Sequence, residues 1–324
     1  MQAGAADAGA VLDLQTDLRA LGYLNGGLDG DFGAATARGL RALSDDLLHG
    51  AGVRAFNRGR VPTVTDVLSP AFGACLADML DDAAWGKVPN STDPRADNAA
   101  ALAALVQAPS NVAPTPFLLA MVKQESSSQH YRVPSTRDAD SHVVVGLDRN
   151  AAGHPDRITS RGYGLGQFTI QNHPPTGHQV ADFIVDIQGN VSTAYAELRE
   201  KFDRFVAGPT DTADDRKAEH PLLPLRLCKF PAGDPKFMRD CANCARAAPK
   251  VDIVSQAQGG TPFFAGSGGA YHPTQYYSTP RYSNVPDRAA FACDWPYAAR
   301  RYNGSGVNSY HYQTKILLNL AGLA

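Results

Sequence analysis

The sequence predicts a mainly α protein, with a small N-terminal helical bundle over residues 1–90 and an α+β domain over residues 91–324 that carries a long loop-rich insertion at about 172–290. Three observations predict it. Apolar residues recur at helical spacing near the N-terminus and again around residues 115–126, and the stretch from about 172 to 290 is dense in proline and glycine with only patchy helical signal. A length of 324 residues leaves room for two domains, and an apolar fraction of 44% supplies their cores.

The elements follow in order. Leu14, Leu18 and Leu21 keep helical spacing, and Gly22-Tyr23 ends that helix. Asn25-Gly26-Gly27 and Asp29-Gly30-Asp31-Phe32-Gly33 form a turn-dense connection to a second helix from about Ala34, with Ala37, Leu40 and Leu43 facing inward. Val64 to Leu80 continues the bundle, and Gly86 to Pro94 reads as a linker. Ala99 to Val106 starts a new helix that Pro109 should end. Within the insertion Thr193 to Phe205 is helical, and Ser309 to Leu320 forms a last helix with Ile316, Leu317 and Leu320 apolar.

Thirty basic against 32 acidic residues give a formal net charge of −2, which argues against a nucleic-acid or membrane-surface protein. No apolar run is long enough to span a bilayer. The start, Met1-Gln2-Ala3-Gly4-Ala5-Ala6-Asp7, lacks the basic and apolar regions of a secretory signal. The expectation is a protein made in the cytoplasm without such a signal.

Glutamate is scarce, with Glu125, Glu197, Glu200 and Glu219 the only four. Thr115 is placed to cap a helix opened by Pro116, and Leu118, Met121, Val122 and Glu125 then fall on one stripe. A carboxylate on an apolar face is penalised in its charged form, which is how a glutamate becomes a proton donor near neutral pH. The competing reading is an ordinary glutamate at a frayed helix end, solvated or paired with arginine.

Two resemblances attach to these residues. The run from Leu14-Gln15 through Leu18 to Gly22-Tyr23, followed by Asp29-Gly30-Asp31-Phe32-Gly33 and Thr36, resembles the three-helix peptidoglycan-binding module of cell-wall hydrolases over about residues 8–60. Further on, Gln124-Glu125-Ser126, Arg161-Gly162-Tyr163-Gly164-Leu165-Gly166-Gln167-Phe168 and Tyr302-Asn303-Gly304 are similar to the conserved pieces of goose-type lysozymes and soluble lytic transglycosylases. The usual turn methionine is Gly166 here, and Phe168-Thr169-Ile170 stands where goose-type enzymes often place an aspartate.

The resemblance implies a lysozyme-like catalytic domain that cleaves the MurNAc to GlcNAc bond. Glu125 would be the general acid, with Ser126, Tyr163, Gly164, Gln167, Thr169, Tyr302 and Asn303 around the glycan. The glycines would let a sugar polymer approach the backbone. Asp148 and Asp156 are the candidates for a second carboxylate, which decides between a hydrolysing muramidase and a lytic transglycosylase leaving 1,6-anhydro ends. A third alternative is a wall-binding protein without catalysis. As an enzyme it would act in the periplasm or cell wall of a target or host bacterium, as a secreted antibacterial effector or a phage endolysin. An effector would need a secretion-machinery carrier and an immunity protein.

No cofactor or catalytic metal is expected. Cys228, Cys241, Cys244 and Cys293 leave three possibilities open: a structural zinc site suggested by the Cys241-Ala242-Asn243-Cys244 spacing, disulfides, or reduced thiols.

Overall fold

The computed structural model describes residues 7–107, 112–136, 138–171, 173–207, 226–247, 251–252, 284–285, 291–303 and 307–322. Pro109, Glu219, Gly304 and much of the predicted insertion lie outside these residues. The protein is mainly helical with a small antiparallel sheet, and it divides into two compact units, Met1–Leu102 with Ser128–Val191 and Ala103–Ser127 with Ser192–Ala324. Among the described residues no helix is long and apolar enough to cross a membrane.

The first unit begins with α1 (Ala8–Ala20), α2 (Ala34–His49) and α3 (Pro70–Asp81). Asp7 caps α1 by accepting the Gly9 N–H at 3.2 Å, and Ser69 caps α3 by accepting the Phe72 N–H at 3.1 Å. Residues 64–69 are not helical, because Pro70 favours an extended residue before it and itself suits the first helical position. Leu14, Leu18, Leu40, Leu43, Leu47, Phe72, Leu76 and Met79 form the core. Each such side chain contributes about 1.5–3 kcal/mol on full burial.

That core is shared with residues far along the chain. Ile158 is buried in it, and Leu147 and Trp85 pack against it. The segment expected to be a linker, 86–94, is tied down instead: Gly86 N–H donates to Pro175 O at 2.7 Å, Val88 N–H to Ala20 O at 2.7 Å and Ser91 N–H to Ser141 O at 3.0 Å. These bonds leave it no freedom as a tether. Two ion pairs of the unit have both side chains buried: Arg19 to Asp140 at 2.6 Å and Arg161 to Asp46 at 3.2 Å. Desolvation lowers Arg19 to about 10, opposed by the Asp140 charge.

The sheet comprises β1 (Val145–Asp148), β2 (Ser160–Tyr163) and β3 (Phe168–Gln171) in that order, all antiparallel, with Val145 opposite Tyr163 and Tyr163 opposite Phe168. Val145, Tyr163 and Ile170 bury one face against Val143, Tyr131 and Ile184. The unit also holds the first part of α4 (Pro94–Gln107) and the short α6 (Gly177–Gln179), whose capping box is made by Thr176 and Gln179.

The second unit is built on α5 (Thr115–Ser126), the later part of α7 (Ile187–Lys201), α8 (Cys241–Ala247), α9 (Trp295–Tyr302) and α10 (Val307–Ala321). Helix α10 packs against α5, and Asn319 Nδ2 donates to Ala120 O at 3.2 Å. Pro114, not Thr115, occupies the cap position of α5; the Thr115 hydroxyl is instead 2.7 Å from the Tyr195 hydroxyl, which bonds Leu105 O at 2.9 Å. Phe202 stacks on Trp295 with ring centroids 4.2 Å apart, and Trp295 Nε1 donates to Leu227 O at 2.9 Å.

Candidate functional site

Each unit contributes a candidate assembly. In the first, Gln15 explains why its motif needs a glutamine beside a glycine turn. Its Nε2 donates to Asp29 Oδ1 at 2.8 Å, Asp31 O at 3.0 Å and Thr36 Oγ1 at 3.1 Å, while its Oε1 accepts the N–H groups of Asp29 at 3.0 Å and Gly30 at 2.9 Å. A buried amide that both donates and accepts can satisfy such a turn, which no apolar side chain could. Asp29 falls below its usual range chiefly because Gln15 bonds the carboxylate.

The glycine-rich turn joins β2 to β3 in the same unit. Gly164 has φ of +67°, and a Cβ there would meet His130 Cε1 at 2.5 Å. His130 sits under the turn with Nδ1 accepting the Leu165 N–H at 3.2 Å and Nε2 donating to Ile184 O at 2.7 Å. The two contacts fix a neutral imidazole, and burial lowers its pKa accordingly. Asn190 completes the support: its Oδ1 accepts the Gly166 N–H at 2.9 Å, and its Nδ2 donates to Phe183 O at 3.0 Å and Tyr163 O at 3.3 Å.

Gln167, at φ of +50°, folds back so that its Nε2 donates to Gly164 O at 2.7 Å. Its Oε1 lies 2.5 Å from where a Gly146 Cβ would stand and 2.8 Å from that of Gly162. The space vacated by Gly162 and Gly164 is therefore filled by Gln167 and His130, where the sequence reading reserved it for a sugar. Tyr163, expected near the glycan, is 0% exposed and belongs to the core, its hydroxyl 2.5 Å from the Cβ position of Gly22. Thr169 is exposed and donates to Gln167 O at 3.2 Å. Asp148 accepts from the Ser160 hydroxyl at 2.6 Å, and Asp156 pairs with Arg41 at 3.0 Å. Both candidates for a second carboxylate thus have partners within the first unit.

The second assembly gathers acids and phenols. Leu118, Met121 and Val122 are buried on α5, and Glu125, one turn on from Met121, is half-buried. Ser126 is buried and donates to Val122 O at 2.9 Å, so its hydroxyl serves the helix. Tyr302, at the end of α9, is half-buried, and its hydroxyl donates to Glu197 on α7. Burial, and then the charges of Glu197 and Glu125, push its phenol well above the usual range. Tyr312 on α10 is buried beside Glu125; burial and the Glu125 charge raise its phenol likewise.

Glu197 is the residue that sequence reasoning passed over. It is raised mainly by desolvation, an effect opposed by Lys201 at 3.8 Å and by the Tyr302 bond. The structure therefore brings Glu125, Tyr302 and Tyr312 together with Glu197. Asn303, the turn residue after α9, is exposed. The only sequence signal for Glu197 was the rarity of glutamate in this chain.

Comparison with known proteins bears on one of the two assemblies. Residues 7–43, which contain Gln15 and the Asp29-Gly30-Asp31 turn, match the peptidoglycan binding domain family. No curated protein and no solved structure matches the chain.

Proposed function

We propose that this wall-binding chain is a muramidase, cleaving the MurNAc to GlcNAc bond of peptidoglycan with Glu125 as proton donor and Glu197 as the second carboxylate. The observation that carries the reading is that Glu125 and Glu197 bear on the same two phenols, Tyr302 and Tyr312, in a chain that also holds a peptidoglycan-binding domain. Two carboxylates in one polar cluster are what glycoside hydrolysis uses. Glu125 would pass its proton to the bridging oxygen as the C1–O bond breaks. Glu197 would take a proton from the water that adds to C1. Tyr302, donating to Glu197, would hold that carboxylate's orientation.

Glu197 is preferred over Asp148 and Asp156 because it bears on the same phenols as Glu125, whereas those two bond Ser160 and Arg41 in the first unit. The binding domain would supply residence on the polymer, which raises the effective substrate concentration for a weak catalytic site. Action in the periplasm or cell wall of a bacterium follows from that substrate.

The product tests the reading. Sacculi digested by the full chain and resolved by mass spectrometry should yield muropeptides with reducing MurNAc ends. Predominantly 1,6-anhydro products would make the protein a lytic transglycosylase, and intact sacculi with bound protein would leave a wall-binding function alone.

A further inference from the structure

The loop at 25–28, between α1 and the Asp29-Gly30-Asp31 turn, is held by residues 107 and 110 positions further along the chain. Segments 130–135 and 138–144 pair with each other to form an arm of the first unit. Val144 N–H donates to His130 O at 2.9 Å, Arg132 N–H to His142 O at 2.9 Å and Ser135 N–H to Asp138 O at 2.7 Å. The arm grips the loop at both ends: Arg132 Nη2 donates to Asn25 O at 2.8 Å, and Leu28 N–H donates to Asp138 Oδ1 at 3.1 Å. Between these bonds Arg19 donates to Gly26 O, and a Cβ on Gly27 would stand 2.8 Å from Asp138 Oδ2.

The arm is itself braced. Arg132 pairs with Asp138 at 3.1 Å and with Asp140 at 3.4 Å, and Asp140 pairs with Arg19 at 2.6 Å. The Asp138 and Asp140 carboxylates also accept the N–H groups of Asp140 and His142, each at 2.9 Å.

Resting on the wall-binding role of residues 7–43, we infer that Arg132 and Asp138 are positioning residues for peptidoglycan binding, so that the wall-binding element includes an arm outside the matched segment. Asn25, Asp29 and Asp31 are exposed while Leu28 between them is buried, so the outward shape of the loop depends on its inner bonds. Gln15 fixes Asp29 and Gly30 from α1, whereas Asn25 and Leu28 are fixed by the arm. A loop that must be ordered on contact with its ligand loses affinity by the free energy of ordering it. Arg132 and Asp138 are open to substitution because their side chains are 31% and 24% exposed. Arg19 and Asp140 are fully enclosed, and removing either would strand a buried charge.

Saturation binding of the full chain to purified sacculi tests the role, with Glu125→Gln present throughout so that binding is read without digestion. Arg132→Ala and Asp138→Ala should each raise the apparent Kd about three- to tenfold, as expected for one or two lost hydrogen bonds, at unchanged binding capacity. Asp138→Asn, which keeps an acceptor for the Leu28 N–H, should fall between parent and alanine variant. Gly27→Ala should weaken binding by crowding Asp138, and should add nothing once Asp138→Ala is present. The parental Kd in both alanine variants overturns the inference. So does a lower capacity at the parental Kd, which marks a fraction of unfolded chain in place of a displaced loop. If Asp138→Ala fails to fold, Arg132→Ala decides on the same terms. A parent chain that leaves sacculi unbound removes the wall-binding reading itself, and the inference with it.

Discussion

The Gln15 carboxamide closes on Asp29 from both sides, donating to its carboxylate at 2.8 Å and accepting its backbone N–H at 3.0 Å. Gln15→Ala removes these bonds and strands the turn amides of Asp29 and Gly30, while the Thr36 hydroxyl keeps its 3.4 Å bond to Asp31 O. The expected cost is about 1–3 kcal/mol. Chemical denaturation should show the lower midpoint, and cosedimentation with sacculi should show weaker wall binding. Unchanged binding would mean that this turn does not shape the wall-binding surface.

Gly164→Ala tests the turn over His130. A left-handed residue costs about 1–2 kcal/mol more once it carries a Cβ, and that Cβ would stand 2.5 Å from the imidazole. The denaturation midpoint should fall by more than the conformational term alone accounts for. A midpoint equal to the parent's would show that the turn relaxes freely.

Acid should weaken the first unit through its buried histidines. His130 and His142 are both lowered, chiefly by desolvation. A depressed histidine contributes fully above its unfolded value of about 6.5 and loses stability as pH falls below it, because the unfolded chain takes up protons that the native one refuses. Asp46, raised by burial, works in the opposite direction. Denaturation midpoints should be lower at pH 5.5 than at pH 7.5, and His130→Gln should shrink that difference. An undiminished difference would exclude His130 as its source.

The N-terminal motif was legible because its partners are close in sequence: Leu14, Leu18 and Gln15 read one turn some 15 residues away. Helix α5 was legible too, since its buried stripe is periodic. What escaped was long-range. Arg19 and Asp140 pair across 121 positions, and neither residue's neighbourhood announces the other. Asn190 and His130 support the glycine turn from outside any motif, and Glu197 lies on a helix that read as part of an insertion. The glycines themselves were visible, but not that His130 and Gln167 fill the space beside them.

Glu197→Gln separates two routes to the same bond. A hydrolase that relies on this carboxylate should lose about 10²–10⁴ in rate. The acidic limb of its pH profile should vanish, since the residue raised by burial would be gone. A chain that works with one acid should retain most of its rate. Tyr302→Phe, which removes the hydroxyl bonded to Glu197, should move that limb while leaving sacculus binding intact.

The most direct measurement is the release of soluble fragments from purified sacculi by the full chain and by Glu125→Gln, with cosedimentation followed in parallel. The unmodified chain should solubilise the wall. The variant should bind equally well and release fragments about 10²–10⁴ times more slowly. Equal release by both proteins would remove Glu125 as the proton donor, and no release by either would leave a protein that holds peptidoglycan without cutting it.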